Sequence, residues 1–145
     1  MKFLLGAMIA WLVAQALKHG ARLFGRNRRI FGTDTRAKLF LSGGMPSAHS
    51  ATVTALTAMI GYYEGCDSAV FALSVLFSAV VMYDAMMVRF SSGEQGDLLN
   101  KLLKEQKSKL GQIRIAHGHR PIEVIAGAVV GLVVAGVVIL ATHYL

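Results

Sequence analysis

Residues Ile122 to Thr142 read Ile-Glu-Val-Ile-Ala-Gly-Ala-Val-Val-Gly-Leu-Val-Val-Ala-Gly-Val-Val-Ile-Leu-Ala-Thr, 21 residues whose one charge, Glu123, sits at the very start. At about 1.5 Å of helix rise per residue this run spans a hydrocarbon layer of about 30 Å. A stretch this long and this apolar has no place in an ordinary soluble domain, so it decides the fold. Pro121, immediately before it, suits the first position of a helix, where its missing N–H costs nothing. Gly127, Gly131 and Ala135 recur at four-residue spacing and leave a flat strip on which another helix can approach closely, whether from the same chain or from a second copy in a homodimer.

Three further apolar stretches lie upstream. Ala69 to Val88 is long enough to span, and Phe3 to Leu17 and Ser50 to Tyr63 are short but extendable by their flanks. The whole chain agrees: 145 residues, 54% apolar and 16% charged, with a mean hydropathy of +0.54. The expected fold is all-α, an integral membrane helical bundle of about four transmembrane helices in a single domain over 1–145; the length excludes a multidomain protein. Cys66 is alone, which excludes an intrachain disulfide framework and a cysteine-based zinc site. The N-terminus has a rival reading as a cleaved signal peptide, because Lys2 precedes the apolar run and Ala14-Gln15-Ala16 has a small-x-small form. The basic cluster Lys18, Arg22, Arg26, Arg28 and Arg29 that follows favours a retained span.

The charge is distributed unevenly. Fifteen Lys and Arg against eight Asp and Glu give a net charge of +7. Seven of the bases lie between the first and second stretches, from Lys18 to Lys38, and seven between the third and fourth, from Arg89 to Arg120. The connection Glu64-Gly65-Cys66-Asp67-Ser68 carries two acids and no base. By the positive-inside rule both long connections face the cytoplasm and both termini lie on the opposite side of a bacterial or organellar inner membrane. The bases flank membrane spans, where they serve as topology signals, so nucleic acid is not an expected partner. Between Gly93 and Gly111, Leu98, Leu99, Leu102 and Leu103 share one helical face with Lys101, Lys104 and Lys107 largely off it. This is a cytoplasmic amphipathic helix, suited either to an anionic leaflet or to solvent.

Three segments carry chemistry, all placed by topology at the cytoplasmic face. Ser42-Gly43-Gly44-Met45-Pro46-Ser47-Ala48-His49-Ser50 has the order of a helix start, with Pro46 suited to the first turn and Ser47 and Ser50 able to satisfy free amides. The unpaired N–H groups and positive dipole end of such a helix attract anions, and His49 would sit beside whatever binds. In Gly118-His119-Arg120-Pro121-Ile122-Glu123, Glu123 follows His119 by four residues, so a helical first turn lets the carboxylate orient the imidazole and leave its other nitrogen as nucleophile or base; simple capping explains the spacing equally well. Tyr83-Asp84-Ala85-Met86-Met87-Val88-Arg89 places an acid a turn inside an apolar span and a guanidinium at the interface. Asp84 there is either functional or tied to an arginine, and Arg89 suits a bound phosphate.

These three motifs, in this order, resemble the divergent branch of the type 2 phosphatidic acid phosphatase superfamily, the branch related to acid phosphatases and vanadium haloperoxidases. The similarity runs from about Ala14 to the fourth stretch. The resemblance implies that His119 is the nucleophile that takes the phosphoryl group, with Glu123 behind it, that His49 protonates the leaving alkoxide, and that Ser47 and neighbouring amides hold phosphate oxygens, with no metal or cofactor. The superfamily's first motif is not matched, since Lys18 is followed by Gly25 and Arg26 without a proline, and Ile113 and Arg114 stand where a Ser-Arg pair is usual. The phosphate-binding cations are therefore reassigned to Arg89 and Lys18. The expected activity is hydrolysis of a lipid phosphomonoester of the phosphatidylglycerol phosphate or phosphatidate type, or of a polyprenyl (di)phosphate. Two alternatives stand beside it: a Mg²⁺-dependent lipid phosphatase or phosphotransferase using Asp84 and Glu123, and a non-catalytic membrane protein that binds or transports phospholipid head groups or anions.

Overall fold

The computed structural model describes residues 1–24, 45–107, 113 and 119–144, with Arg22, Leu23, Phe24, Arg89 and Tyr144 described by their backbones alone. Arg26, Arg28, Arg29, Arg36, Lys38, Ser42 to Gly44, Lys109, Arg114 and Gly118 lie outside the described residues. Among the described residues there are five α-helices, α1 (Lys2–Phe24), α2 (Ala48–Glu64), α3 (Ala69–Tyr83), α4 (Arg89–Glu105) and α5 (Pro121–Tyr144), with a π-helical segment, Asp84–Val88, joining α3 to α4. No strand occurs among the described residues. The molecule is an all-α membrane bundle.

Local chemistry sets the helix ends. Ser47, in extended conformation, caps α2 by accepting the Ser50 N–H on its hydroxyl at 3.4 Å. Pro46 thus stands one residue outside the cap and not in the first turn. Gly65 ends α2 at φ 85° and ψ 148°, a backbone conformation open to glycine, and Ser68 caps α3 through Phe71 N at 3.2 Å. The acidic connection is therefore a tight turn that folds α3 back along α2.

Helix α2 is the centre. It packs against α1, α3 and α5, and α1 also meets α5. Among the described residues three helical stretches are long and apolar enough to cross a membrane: Lys2–Ala21, Ala69–Glu105 and Pro121–His143. The fourth expected span, α2, is 17 residues and falls short of that length. Its central position shelters the hydroxyls of Ser50, Thr52, Thr54 and Thr57 from lipid. Thr52 Oγ1 donates to the carbonyl of Ala48 at 2.8 Å, while Thr57 Oγ1 lies 2.8 Å from Ser78 Oγ and 3.2 Å from Ser74 O on α3. The outer faces of α1, α3 and α5 expose large apolar side chains such as Leu12, Leu73, Phe77, Val133 and Leu140, which in a bilayer meet lipid.

Helix directions follow from the contacts. Phe3 meets Tyr63 at the end of α2, whereas Ala14 packs with Ala48 and Ala51 at its start, so α1 runs antiparallel to α2. Helix α5 runs parallel to α2: Gly127 lies against Ser47 and Ser50, Gly131 against Ala51, Ala135 joins the cluster of Ala55 and Met59, and Thr142 bonds Tyr63. The small-residue strip of α5 is thus filled by α2 of the same chain. A Cβ on Gly127 would stand 2.3 Å from Ser47 O, and one on Gly131 2.4 Å from Ala51 O, distances at which the backbones must separate.

The amphipathic segment is helical, but it begins at Arg89 and continues α3 through the π segment as one helical run of 37 residues. At about 1.5 Å per residue such a run measures about 55 Å, so α4 extends beyond a hydrocarbon layer of about 30 Å. Lys107, at φ 48°, closes it with the left-handed residue that commonly follows a helix end.

Gly127→Ala and Gly131→Ala should each lower stability by about 1–3 kcal/mol through overpacking, while Gly136→Ala, whose added methyl meets nothing within 4 Å, should change it by less than about 0.5 kcal/mol. Equilibrium unfolding of the purified protein in detergent distinguishes the three.

Candidate functional site

Because α2 and α5 are parallel, their N-termini open at the same end of the bundle, and the backbone joins them there. Ser47 N donates to Glu123 O at 3.0 Å, which ties the cap of α2 to the first turn of α5. His119 N donates to Ala85 O at 2.9 Å, which ties the approach to α5 to the π segment. The segments containing Ser47, His119 and Ala85, far apart in sequence, are thereby held at one place.

His119 is buried, with 6% of its surface exposed. Its Nδ1 lies 2.8 Å from Glu123 Oε2, and the same oxygen accepts the N–H of Arg120 at 3.2 Å. Glu123 therefore does both things that the spacing allowed: it reaches back to cap the helix, as in a capping box, and it holds the imidazole. A carboxylate can only accept, so in a neutral ring the contact favours the Nδ1–H tautomer, which leaves the Nε2 lone pair for a nucleophile's or base's work.

Ser47 has a different place from the expected one. Its side chain is fully buried, its N–H is given to Glu123 O, and its hydroxyl accepts from both Ser50 N and, at 3.0 Å, Ser50 Oγ. Those contacts make it a pin between two helix starts. His49, in the first turn of α2, is exposed at this same end.

Lys18 is buried at 8% exposure and continues the buried stripe Ala7, Ala10 and Ala14 along α1. Since Ala14 packs on Ala48 and Ala51 and the helices are antiparallel, the next turn carries Lys18 toward the start of α2. Asp84 is half-buried and opens the π segment; Arg89 is the first residue of α4. The i→i+5 pattern of a π-helix brings positions five apart to about one turn's separation, so it relates positions 84 and 89 more closely than an α-helix would. Among the described residues no three His, Cys, Asp or Glu side chains gather as metal ligands.

Two features, one at the site and one along α4, have no signal in the sequence. One is the π segment, whose buried Ala85 supplies the carbonyl that holds His119. The other is Asn100 on α4, whose Nδ2 donates to Ile113 O at 2.9 Å while its Oδ1 accepts Ile113 N at 2.7 Å.

Residues 1–134 match the model of a family described as the Divergent PAP2 family. The chain is 38% identical over 106 residues to YuiD of Bacillus subtilis (strain 168), which bears the description uncharacterized membrane protein; the match covers 63% of this chain and 67% of that one. No solved structure matches.

Ser47→Ala should cost about 1 kcal/mol as a lost helix cap. Glu123→Ala should release the ring of His119, and ¹⁵N NMR of histidine-labelled protein reads this as a shift from the Nδ1–H tautomer toward a mixture of tautomers.

Proposed function

The chain belongs to the divergent PAP2 family, and from that membership together with the buried His119 and Glu123 pair between two helix N-termini we propose that it hydrolyses lipid phosphomonoesters at the cytoplasmic face of a membrane. The observation that carries this reading is the 2.8 Å contact of His119 Nδ1 with Glu123 Oε2. It leaves Nε2 as the reactive nitrogen, in a place where two helix dipoles favour an anion.

The proposed reaction has two steps. Nε2 of His119 attacks phosphorus in line, the N–P bond forms as the P–O bond to the lipid breaks, and the leaving alkoxide takes a proton from His49. Water then attacks the phosphohistidine, His49 takes a proton from it, and inorganic phosphate leaves with His119 restored. Glu123 offsets the positive charge on the imidazole during transfer. Lys18, Arg89 and the first turns of α2 and α5 stabilise charge on the phosphoryl oxygens. Ser47 contributes by fixing α2 against α5. Burial of His119 keeps bulk water from the ring, so the side chains around it must part to admit a phosphate.

The substrate class follows from the membrane side. Fourteen of the fifteen Lys and Arg lie between the first and second and between the third and fourth apolar stretches, a distribution that by the positive-inside rule supports a cytoplasmic site. Lipids made on that leaflet, of the phosphatidylglycerol phosphate or phosphatidate type, fit better than polyprenyl diphosphates presented on the other.

Purified protein should release phosphate from such lipids, with His119→Asn lowering kcat/KM at least about 10³-fold and His49→Ala about 10²- to 10⁴-fold; full activity in the His119 variant would sink the mechanism. Excess chelator should leave the rate unchanged, and dependence on added Mg²⁺ would favour the metal-assisted alternative. Cys66, exposed in the turn at the opposite end, should react with a membrane-impermeant thiol reagent added outside intact cells; labelling only after the membrane is opened would reverse the orientation.

A further inference from the structure

Asn100 stands about four turns beyond Ala85 on the same continuous helix. Both polar atoms of its amide meet both polar backbone groups of Ile113, at 2.9 and 2.7 Å. Such a pairing needs a donor and an acceptor side by side on a short stem, which asparagine supplies and aspartate or leucine does not. It is not a by-product of broad packing, because the substantial packing of α4 against described elements is with the π segment. Six positions after Ile113 comes His119, whose own N–H is held by Ala85 O. Ile113 and His119 are thus each fastened to the helical run Ala69–Glu105, one by a side chain and the other by a carbonyl that the π segment presents.

We propose that Asn100 is a positioning residue for His119: by holding Ile113, six positions ahead of the nucleophile, it limits where His119 can stand, and so governs the rate of phosphoryl transfer and not the affinity for lipid. The inference rests on the reading of His119 as the nucleophile. A phosphoryl acceptor must stand in line with the leaving oxygen, and a displacement of about 1 Å costs on the order of 10²-fold in rate, so a fastening far from the ring matters when it sets where the ring's backbone lies.

The test uses the full chain in detergent micelles, labelled with ¹⁵N at isoleucine and histidine, as wild type, Asn100→Leu and Asn100→Asp. Asn100→Leu should speed amide hydrogen exchange at both Ile113 and His119 on the order of tenfold or more and lower kcat on phosphatidate by a similar factor, with KM within about twofold. Asn100→Asp keeps the acceptor for Ile113 N and loses the donor, and should fall between the two. Faster exchange at Ile113 with unchanged exchange at His119 and unchanged kcat would overturn the proposal, as would unchanged exchange at Ile113. A rise in KM alone would overturn it too, since that marks a binding role. If the wild type releases no phosphate while both amides still respond to Asn100→Leu, the clamp stands and the phosphatase reading fails.

Discussion

Two helices that begin side by side at a membrane interface must satisfy the backbone N–H groups that no helical carbonyl can reach, and a buried one left unpaired costs about 1–3 kcal/mol. Here the two starts help to satisfy one another. Ser47 gives its N–H to Glu123 O, Ser50 gives its N–H to Ser47 Oγ, and Arg120 gives its N–H to Glu123 Oε2. The first of these bonds holds α2 against α5 at one end, and Gly127 and Gly131 let the two backbones close along their length. The register of α5, and with it the place of His119, depends on that join.

The join has an electrostatic consequence. Parallel helices with neighbouring N-termini set two positive dipole ends together, which is unfavourable unless a negative charge lies near. Glu123 in the first turn of α5 offsets part of that field and spends its carboxylate on His119 at the same time. A phosphate at this end would offset the rest. The same arrangement therefore suits both stability and the proposed anion site, which is why a capping reading and a catalytic reading of His119 and Glu123 do not exclude one another.

A short chain achieves this by sheltering its least apolar helix. The hydroxyls of α2 would be costly against lipid, yet α1, α3 and α5 surround it and α3 answers Thr57 with Ser74 and Ser78. Small residues on α1 let it lie close: Gly6 leaves room for the fully buried Met59, and Ala7, Ala10 and Ala14 lead to Lys18 at the site's end. The stripe that packs the helix also delivers a buried cation.

The sequence by itself determined what depends on near neighbours and on solvent: which stretches are helical and membrane-bound, where Ser47 and Pro121 place helix starts, and that Glu123 can reach His119 four residues back. Those follow from hydropathy, from the missing proton of proline, and from a helical turn that brings such positions together. Only the tertiary structure decided the rest. The partner of Gly127 and Gly131 is α2 because Ser47 and Ala51 lie some 80 positions away in sequence and periodicity has no reach over that distance. The same holds for the burial of Ser47, which pins the start of α2 to α5, and for the length of α2 relative to the other spans. The π segment leaves no trace in composition, because a change from i→i+4 to i→i+5 pairing is set by what the freed carbonyl finds, here His119 N. Asn100 looks like one more polar residue on an amphipathic helix until the chain returns with Ile113 beside it.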